Sequence, residues 1–266
     1  MKTSDNPSDK DFLSRRASRQ ASGAKANSST GQAIILAAGR GTRMTELTAS
    51  VPKPMLLVAG RPLLEYKIDA LPDSVDEVII VVGYLQNVIR EHFGTSYGGR
   101  RIIYVEQKKE LDGTAGALWS AQSVLRDKFL VMMGDDIYAS EDVAKCVEQT
   151  GSWTLLVQEL PELYRAGRIQ LNAEGNIVNI IESSKEDEVR KTSGIASTNL
   201  FFIDARVFSC PLIPKHAGSL EFGLPQTIIG ASRQLNIPFV PIFTDKWIQI
   251  TSPKDLVMAE KMLQVR

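Results

Sequence analysis

The chain has 266 residues, 43% of them hydrophobic, and this length suits one large α/β domain with a full core. Its 31 basic and 31 acidic residues give a net charge of zero, so no overall field favours nucleic acid or an anionic membrane as a partner. No run approaches the roughly 18 consecutive apolar residues of a membrane-spanning helix, so we expect no membrane partner.

The first 31 residues differ in composition from the rest of the chain. They carry six basic and three acidic side chains, a charge of +3 that leaves −3 for the remainder. Their large apolar side chains are Met1, Phe12 and Leu13, too few to offset the entropy of ordering. We therefore predict a disordered tail over 1–31 and a folded domain over 32–266.

The chain has two cysteines, Cys146 and Cys210. Two cysteines in a chain of this length give no disulfide framework, which is typical of a reducing compartment. The N-terminus also lacks the apolar core of a signal peptide. These features predict a cytoplasmic protein.

Apolar runs alternate with helical patterns in the first half of the domain. Strands are predicted at 33–37, 77–82, 101–105 and 129–133, and helices at 63–71, 85–93 and 114–125. This alternation predicts crossover units and a mostly parallel, Rossmann-like sheet flanked by helices, an α/β fold. Ligands of such sheets bind beyond the carboxyl ends of the strands.

From residue 153 the pattern changes to successive strands without helices between them. Strands are predicted at 153–158, 168–171, 177–182 and 199–203, with a hairpin turn at 173–176. A helix at 224–234, strands at 237–243 and 247–250, and a helix at 253–263 follow. This half predicts an antiparallel or mixed extension that closes the pocket over a second substrate.

A glycine turn follows the first predicted strand. It contains Gly39 and Gly41, with Arg43 two residues later and Lys53 ten residues beyond that. The third glycine of a dinucleotide fingerprint and the lysine of a P-loop are both absent here. A turn without bulky side chains lets backbone N–H groups approach phosphates, and the two cations add positive charge. The pattern indicates a nucleoside triphosphate.

The longer string around this turn is more specific. The residues L-A-A-G-R-G-T-R-M at 36–44, followed by P-K-P at 52–54, closely resemble the motif of the sugar nucleotidyltransferase (nucleoside-diphosphate-sugar pyrophosphorylase) family. The resemblance implies a glycosyltransferase-A-like nucleotidyltransferase domain over 32–266. It also implies that an NTP and a sugar-1-phosphate condense, with Mg²⁺, to a nucleotide sugar and pyrophosphate.

The resemblance assigns catalytic roles to three residues. Arg43 and the glycine-turn backbone would hold the leaving pyrophosphate, and Lys53 would contact the α-phosphate. Asp135, in the string Gly134-Asp135-Asp136, would bind the metal, whereas a hydrogen-bonded turn role is expected for Asp136. The nucleotide-binding residues implied are Leu36, Ala38, Gly39, Gly41, Thr42, Gln107, Gly113 and Thr114.

Base recognition is expected from Gln107 and from the glycine-rich string 112–118 that follows it. The amide of Gln107 can donate to and accept from a base edge, and Gly113 lets the base lie on the backbone. An ordinary loop before a helix capped by Asp112 or Thr114 is equally compatible with these residues.

The sugar motifs match the family less well. Gly167, Glu182 and Asn199 occupy places where the family has a glycine, a glutamate and an asparagine. The family often has a lysine directly after the glutamate, but Ser183 stands here, and Lys185 would have to reach from a longer loop.

The second metal position departs from the family pattern. Gln249 stands where the family has an aspartate after W-x. An amide oxygen can bind Mg²⁺ but brings no charge, so weaker metal binding is expected unless the nearby Asp245 substitutes.

Two alternatives remain open at the sequence level. One is a phosphocholine-type cytidylyltransferase, and the other is a non-catalytic nucleotide- or sugar-sensing subunit of the same fold. The sequence leaves open the base, the sugar and whether the protein forms a homo-oligomer.

Overall fold

The computed structural model describes residues 31–107, 113–163, 166–181 and 193–264, without the side chains of Arg43 and Thr45. The predicted tail therefore lies outside the described residues, except for Gly31. Across the described part of the chain, no helix is both long and apolar enough to cross a membrane.

Twelve strands are defined in the described residues. They are β1 (Gly31–Leu36), β2 (Leu57–Val58), β3 (Arg61–Pro62), β4 (Val75–Val82), β5 (Ser96–Tyr97), β6 (Arg100–Glu106), β7 (Lys128–Met133), β8 (Trp153–Leu160), β9 (Arg168–Leu171), β10 (Ile177–Ile181), β11 (Gly194–Asp204) and β12 (Phe239–Thr244). The α-helices of the same residues are α1 (Leu63–Asp69), α2 (Gln86–Phe93), α3 (Gly113–Ser120), α4 (Ser140–Val147), α5 (Leu224–Gln234) and α6 (Pro253–Gln264).

Ten of these strands form one mixed sheet. Its main path is β10-β9-β11-β7-β1-β4-β6-β5, and β8 pairs with β11 and β12. Strands β7, β1, β4 and β6 are parallel, whereas β11 is antiparallel to β7 and β8 is antiparallel to β11. The predicted fold class, a mostly parallel sheet flanked by helices with an antiparallel extension, is confirmed.

The central strand β1 is buried on both faces because its neighbours on each side are parallel strands covered by helices. Ile34 and Leu36 pack on one face with residues of α3 and α5, and Ala33 and Ile35 pack on the other with residues of α1 and α2. In register, Leu36 pairs with Met133 of β7 and with Val81 of β4. The segments that follow these strands therefore begin at the same edge of the sheet.

Several details of the predicted elements were wrong; the short strands β2, β3 and β5, for example, were not predicted. Helix α4 was not predicted, and the helix predicted over 114–125 ends at Ser120. The predicted strand 247–250 is a single antiparallel bridge between Ile248 and Ile137. No ladder extends from this bridge because side chains bind the flanking backbone: Trp247 N donates to Gln158, and Ile250 N donates to Asp136.

Candidate active site

A cavity of about 360 Å³ opens at the carboxyl ends of β1 and β7. Ten of the predicted site residues line it, namely Leu36, Ala38, Gly39, Gly41, Thr42, Lys53, Gln107, Gly113, Thr114 and Asp135. The backbone topology brings them together from four separate stretches of sequence. This position agrees with the expectation that ligands of a parallel sheet bind beyond its strand ends.

The glycine turn forms one wall of the cavity. Gly41 has a φ of 64°, a left-handed conformation that favours glycine, and a Cβ there would lie 3.0 Å from the Cβ of Lys53. A Cβ on Gly39 would meet nothing within 4 Å. Gly41 O accepts bonds from Met44 N (2.9 Å) and Thr48 Oγ1 (3.2 Å), which fix the turn. The backbone of Arg43 lies in the 3₁₀ helix Thr42–Thr48, but its side chain is outside the described atoms, so its role remains a prediction.

Gly134 brings the end of β7 close to residues 52–54, here called the lysine loop because it contains Lys53. A Cβ on Gly134 would lie 2.9 Å from both the carbonyl oxygen of Leu36 and Cγ of Pro54, so a larger residue would push these segments apart. The next residue, Asp135, accepts a bond from Lys53, with 2.5 Å between Nζ and Oδ2. Lys53 Nζ also donates to the carbonyl oxygen of Ile250 at 2.6 Å. The predicted phosphate cation and the predicted metal ligand are thus in direct contact.

Two buried residues of opposite charge, Lys67 and Asp136, lie next to this ion pair. Lys67 of α1 is fully buried and donates from Nζ to the backbone carbonyl of Asp136. Asp136 is 5% exposed, and its Oδ1 accepts a bond from Ile250 N at 3.3 Å. Burial lowers the pKa of Lys67. Burial and the charge of Asp135 raise the pKa of Asp136. The attraction between Lys67 and Asp136 opposes both shifts.

Lys67 was missed by the sequence analysis, although a signal for it exists. The residue follows Leu63 and Leu64 at helical spacing and precedes Ile68, all three of them buried. A charged residue on the core face of a predicted helix is costly unless it is paired. Its presence at that position indicates a buried partner.

Gln107 and α3 form the far end of the cavity. Gln107 follows β6, where its N donates to Val82 O at 2.9 Å, and its amide Nε2 donates to Gly113 O at 3.2 Å. Gly113 has a φ of 68°, and a Cβ there would lie 2.5 Å from the carbonyl oxygen of Phe222. Thr114 lies inside α3, which begins at Gly113, so the expectation that it caps this helix was wrong; its Oγ1 instead accepts a bond from Leu224 N at 3.1 Å.

A loop over 213–223 completes this end of the cavity, and sequence reasoning did not single it out. Lys215, Glu221 and Phe222 line the cavity. Lys215 N donates to Glu221 O at 2.9 Å, and the two side chains form an ion pair at 4.0 Å. The loop has no periodicity of apolar residues, so no local signal marks it.

The two predicted sugar-binding residues that are described lie outside the cavity lining. Gly167 O accepts a bond from Ser197 N at 2.7 Å, and a Cβ on Gly167 would lie 2.8 Å from Ile180 Cγ2. Asn199, with a φ of 56°, accepts a bond from Ser197 Oγ at 3.2 Å. Glu182 and Lys185 fall outside the described residues. The sugar assignments therefore remain predictions.

The predicted second metal ligand is next to the cavity but is not part of its lining. Gln249 is half-buried and directly precedes Ile250, whose carbonyl binds Lys53. Asp245 is exposed near Lys145 and Lys246, which does not favour it as a substitute ligand.

Among the described residues, the carboxylates that line the cavity are those of Asp135 and Glu221. No group of three or more His, Cys, Asp or Glu side chains that could hold a metal occurs within the described ranges. Magnesium is often held by one or two carboxylates together with substrate phosphates. Asp135, a carboxylate that lines the cavity, therefore fits a protein ligand of a magnesium ion.

Comparison with known proteins agrees with this geometry. A family model described as nucleotidyl transferase matches residues 32–261. The chain therefore belongs to the nucleotidyl transferase family, and the resemblance to sugar nucleotidyltransferases is confirmed.

Individual relatives support the same assignment. The chain is 32% identical over 243 residues to the UTP–glucose-1-phosphate uridylyltransferase AglF of Haloferax volcanii, covering 88% of this chain and 96% of that protein. It is 32% identical over 193 residues to the bifunctional protein GlmU of Methanococcus vannielii, covering 71% of this chain and 45% of that protein. The chain thus spans about half the length of the GlmU relatives that it matches.

Solved structures share the fold. A UDP-glucose pyrophosphorylase complexed with UDP-glucose superimposes with a TM-score of 0.72 at 18% identity, covering 89% of this chain and 99% of that one. At 18% identity this similarity supports the fold and says nothing about function.

Proposed function

We propose that this protein condenses a nucleoside triphosphate with a sugar-1-phosphate to give a nucleotide sugar and pyrophosphate. The observation that carries the proposal is a single cavity in a nucleotidyl transferase chain. At one end lie the glycine turn, Lys53 and Asp135, and at the other lie Gln107 and Gly113. The uridylyltransferase relative acts, by its name, on glucose-1-phosphate, which supports a sugar phosphate as the second substrate.

The reaction brings two anions together. An oxygen of the sugar-1-phosphate attacks the α-phosphorus of the triphosphate and forms a new P–O bond. The bond from the α-phosphorus to the oxygen that bridges to the β-phosphorus breaks, and pyrophosphate leaves with that oxygen. Such a transfer needs positioning and charge neutralisation more than an acid or a base.

The residues of the cavity divide these tasks. The backbone at Gly39 and Gly41 accommodates the β- and γ-phosphates, and Arg43, two residues after Gly41, is their proposed cation. Lys53 holds its ammonium group 2.5 Å from Asp135 and is positioned to contact the α-phosphate. Gln107 and Gly113 hold the base, and the loop over 213–223 closes that end of the cavity.

Asp135 is the proposed ligand of Mg²⁺, with the amide oxygen of Gln249 as a weaker second donor. When bound, the metal neutralises phosphate charge and holds the triphosphate in an orientation that favours in-line attack. A metal held by Asp135 would compete with Lys53 for this carboxylate, so we expect the ammonium group to turn towards the phosphates once the substrates are bound.

Release of pyrophosphate tests the proposal. Purified protein is incubated with Mg²⁺ and every pairing of ATP, CTP, GTP, UTP and dTTP with a panel of sugar-1-phosphates. Phosphocholine is included because the cytidylyltransferase alternative predicts turnover with CTP and phosphocholine. We expect turnover with at least one sugar-1-phosphate; turnover with none of them would contradict the proposal and favour either the alternative or a sensing subunit.

A further inference from the structure

Lys67 is the one buried lysine in the core of the described residues, and it lies beside the candidate active site. We propose that an inner pair of buried charged residues, Lys67 and Asp136, joined through the backbone carbonyl of Asp136, positions Asp135 and Lys53 for catalysis. This inference rests on the proposed function and adds two positioning residues to it.

A continuous chain of contacts joins the inner pair to the cavity. Lys67 Nζ donates to the carbonyl of Asp136, and Asp136 Oδ1 accepts from Ile250 N at 3.3 Å. Ile250 O accepts from Lys53 Nζ at 2.6 Å, and Lys53 Nζ binds Asp135 Oδ2 at 2.5 Å. Since Asp135 and Asp136 are adjacent in sequence, the contacts of Asp136, Ile250, Lys53 and Asp135 close into a ring, to which Lys67 is joined through the Asp136 carbonyl. Displacing any member moves the other members.

Lys67 also connects separate parts of the fold. It belongs to α1, which follows the lysine loop in sequence, and it binds the turn at the end of β7. Its ammonium group lies 5.8 Å from the centre of the Tyr138 ring, and Tyr138 Oη donates to Thr198 O at 2.8 Å. The lysine thus links α1 to the turn that supplies Asp135.

Stability alone does not account for this pair. Replacing a buried ion pair by apolar groups of similar volume is often neutral or stabilising, because burial removes both charges from water. The neighbouring core positions Leu63, Leu64 and Ile68 are apolar, as expected for this helix face. A charged pair kept beside the candidate active site therefore points to a role in positioning.

The experiment compares Lys67→Met, the double variant Lys67→Met/Asp136→Asn and the control Lys128→Met. Lys128 lies at the opposite end of β7, where Nζ donates to the carbonyls of Gln149, Thr150 and Ser152. Each protein is assayed for kcat, for KM of both substrates, for thermal unfolding, and for Mn²⁺ binding in the absence of substrates by the EPR signal of free Mn²⁺.

The double variant is the decisive one because it keeps the net charge of the site. We expect it to unfold no earlier than the wild type, yet to lose roughly 10- to 100-fold in kcat and in Mn²⁺ affinity, with KM of both substrates unchanged. In Lys67→Met, the loss of a positive charge would by itself strengthen Mn²⁺ binding. Weaker Mn²⁺ binding in this variant would therefore indicate that Asp135 is no longer held in position. Lys128→Met should unfold earlier and keep its kcat.

Wild-type kcat and Mn²⁺ affinity in the double variant would overturn the inference. If the wild type itself shows no turnover, the proposed function fails, and the Mn²⁺ affinities still decide whether the inner pair positions Asp135. If Lys67→Met alone does not fold, the test uses the double variant, which leaves neither buried charge without its counterpart. Its kcat and Mn²⁺ affinity then decide.

Discussion

Asp135 and Asp136 are neighbours in sequence with opposite surroundings. The side chain of Asp135 is 30% exposed and opens into the cavity, whereas Asp136 is buried against Lys67 and the backbone of Ile250. At the residue scale, one carboxylate is available to substrates or a metal, and the other holds the turn in place.

Replacing Asp135 by alanine should abolish turnover while leaving the fold intact. Lys53 keeps its bond to Ile250 O, so the variant leaves no buried charge without a partner. Pyrophosphate release and thermal unfolding check this, with Asp76→Ala, an exposed aspartate of β4, as the control. Substantial turnover in the Asp135 variant would refute the metal assignment.

Replacing Gln249 by aspartate should preserve or increase turnover and lower the Mg²⁺ concentration needed for half-maximal rate. A carboxylate adds a full negative charge next to a site that holds one from Asp135, and divalent cations bind more tightly as ligand charge rises. The check is a Mg²⁺ titration of wild type and variant. A lower rate at every Mg²⁺ concentration would exclude position 249 from the metal site.

At the element scale, the loop over 213–223 and the start of α3 form one wall of the cavity. Ala115 N donates to Phe222 O at 3.1 Å, and Leu224 N donates to Thr114 Oγ1 at 3.1 Å. Gly113 allows this contact because it carries no side chain.

Gly113→Ala should therefore weaken nucleotide binding. Its left-handed backbone would cost about 1–2 kcal/mol with alanine, and the new Cβ would also push Phe222 away. The matched control is Gly175→Ala, since Gly175 has a φ of 81° and open space around it. We expect both variants to lose stability but only Gly113→Ala to raise KM for the nucleotide, measured by initial rates. Equal KM values would contradict the proposed base site.

The elements differ in how well local sequence predicts them. Strands β1, β4 and β7 are mostly buried apolar runs bounded by turns, so composition alone marks them. The 247–250 segment also reads as a strand, but long-range bonds to Gln158 and Asp136 decide its conformation. The Lys67–Asp136 pair and the 213–223 loop depend in the same way on contacts between residues far apart in the chain.

At the scale of the whole molecule, the predicted division is a tail over 1–31 and a domain over 32–266. This division stays a prediction, although Gly31, which it places in the tail, is the first residue of β1. Deleting residues 1–30 should leave the unfolding temperature and kcat unchanged, as measured by circular dichroism and pyrophosphate release. A large loss of either would assign the tail a role in the domain.

The central claim is that the chain transfers a nucleotidyl group by attack on the α-phosphorus. Once an active pair of substrates is known, the triphosphate is supplied with ³²P at either the α or the γ position. We predict that the α label appears in the nucleotide sugar and the γ label in pyrophosphate. A γ label in the sugar product or in free orthophosphate would contradict the account.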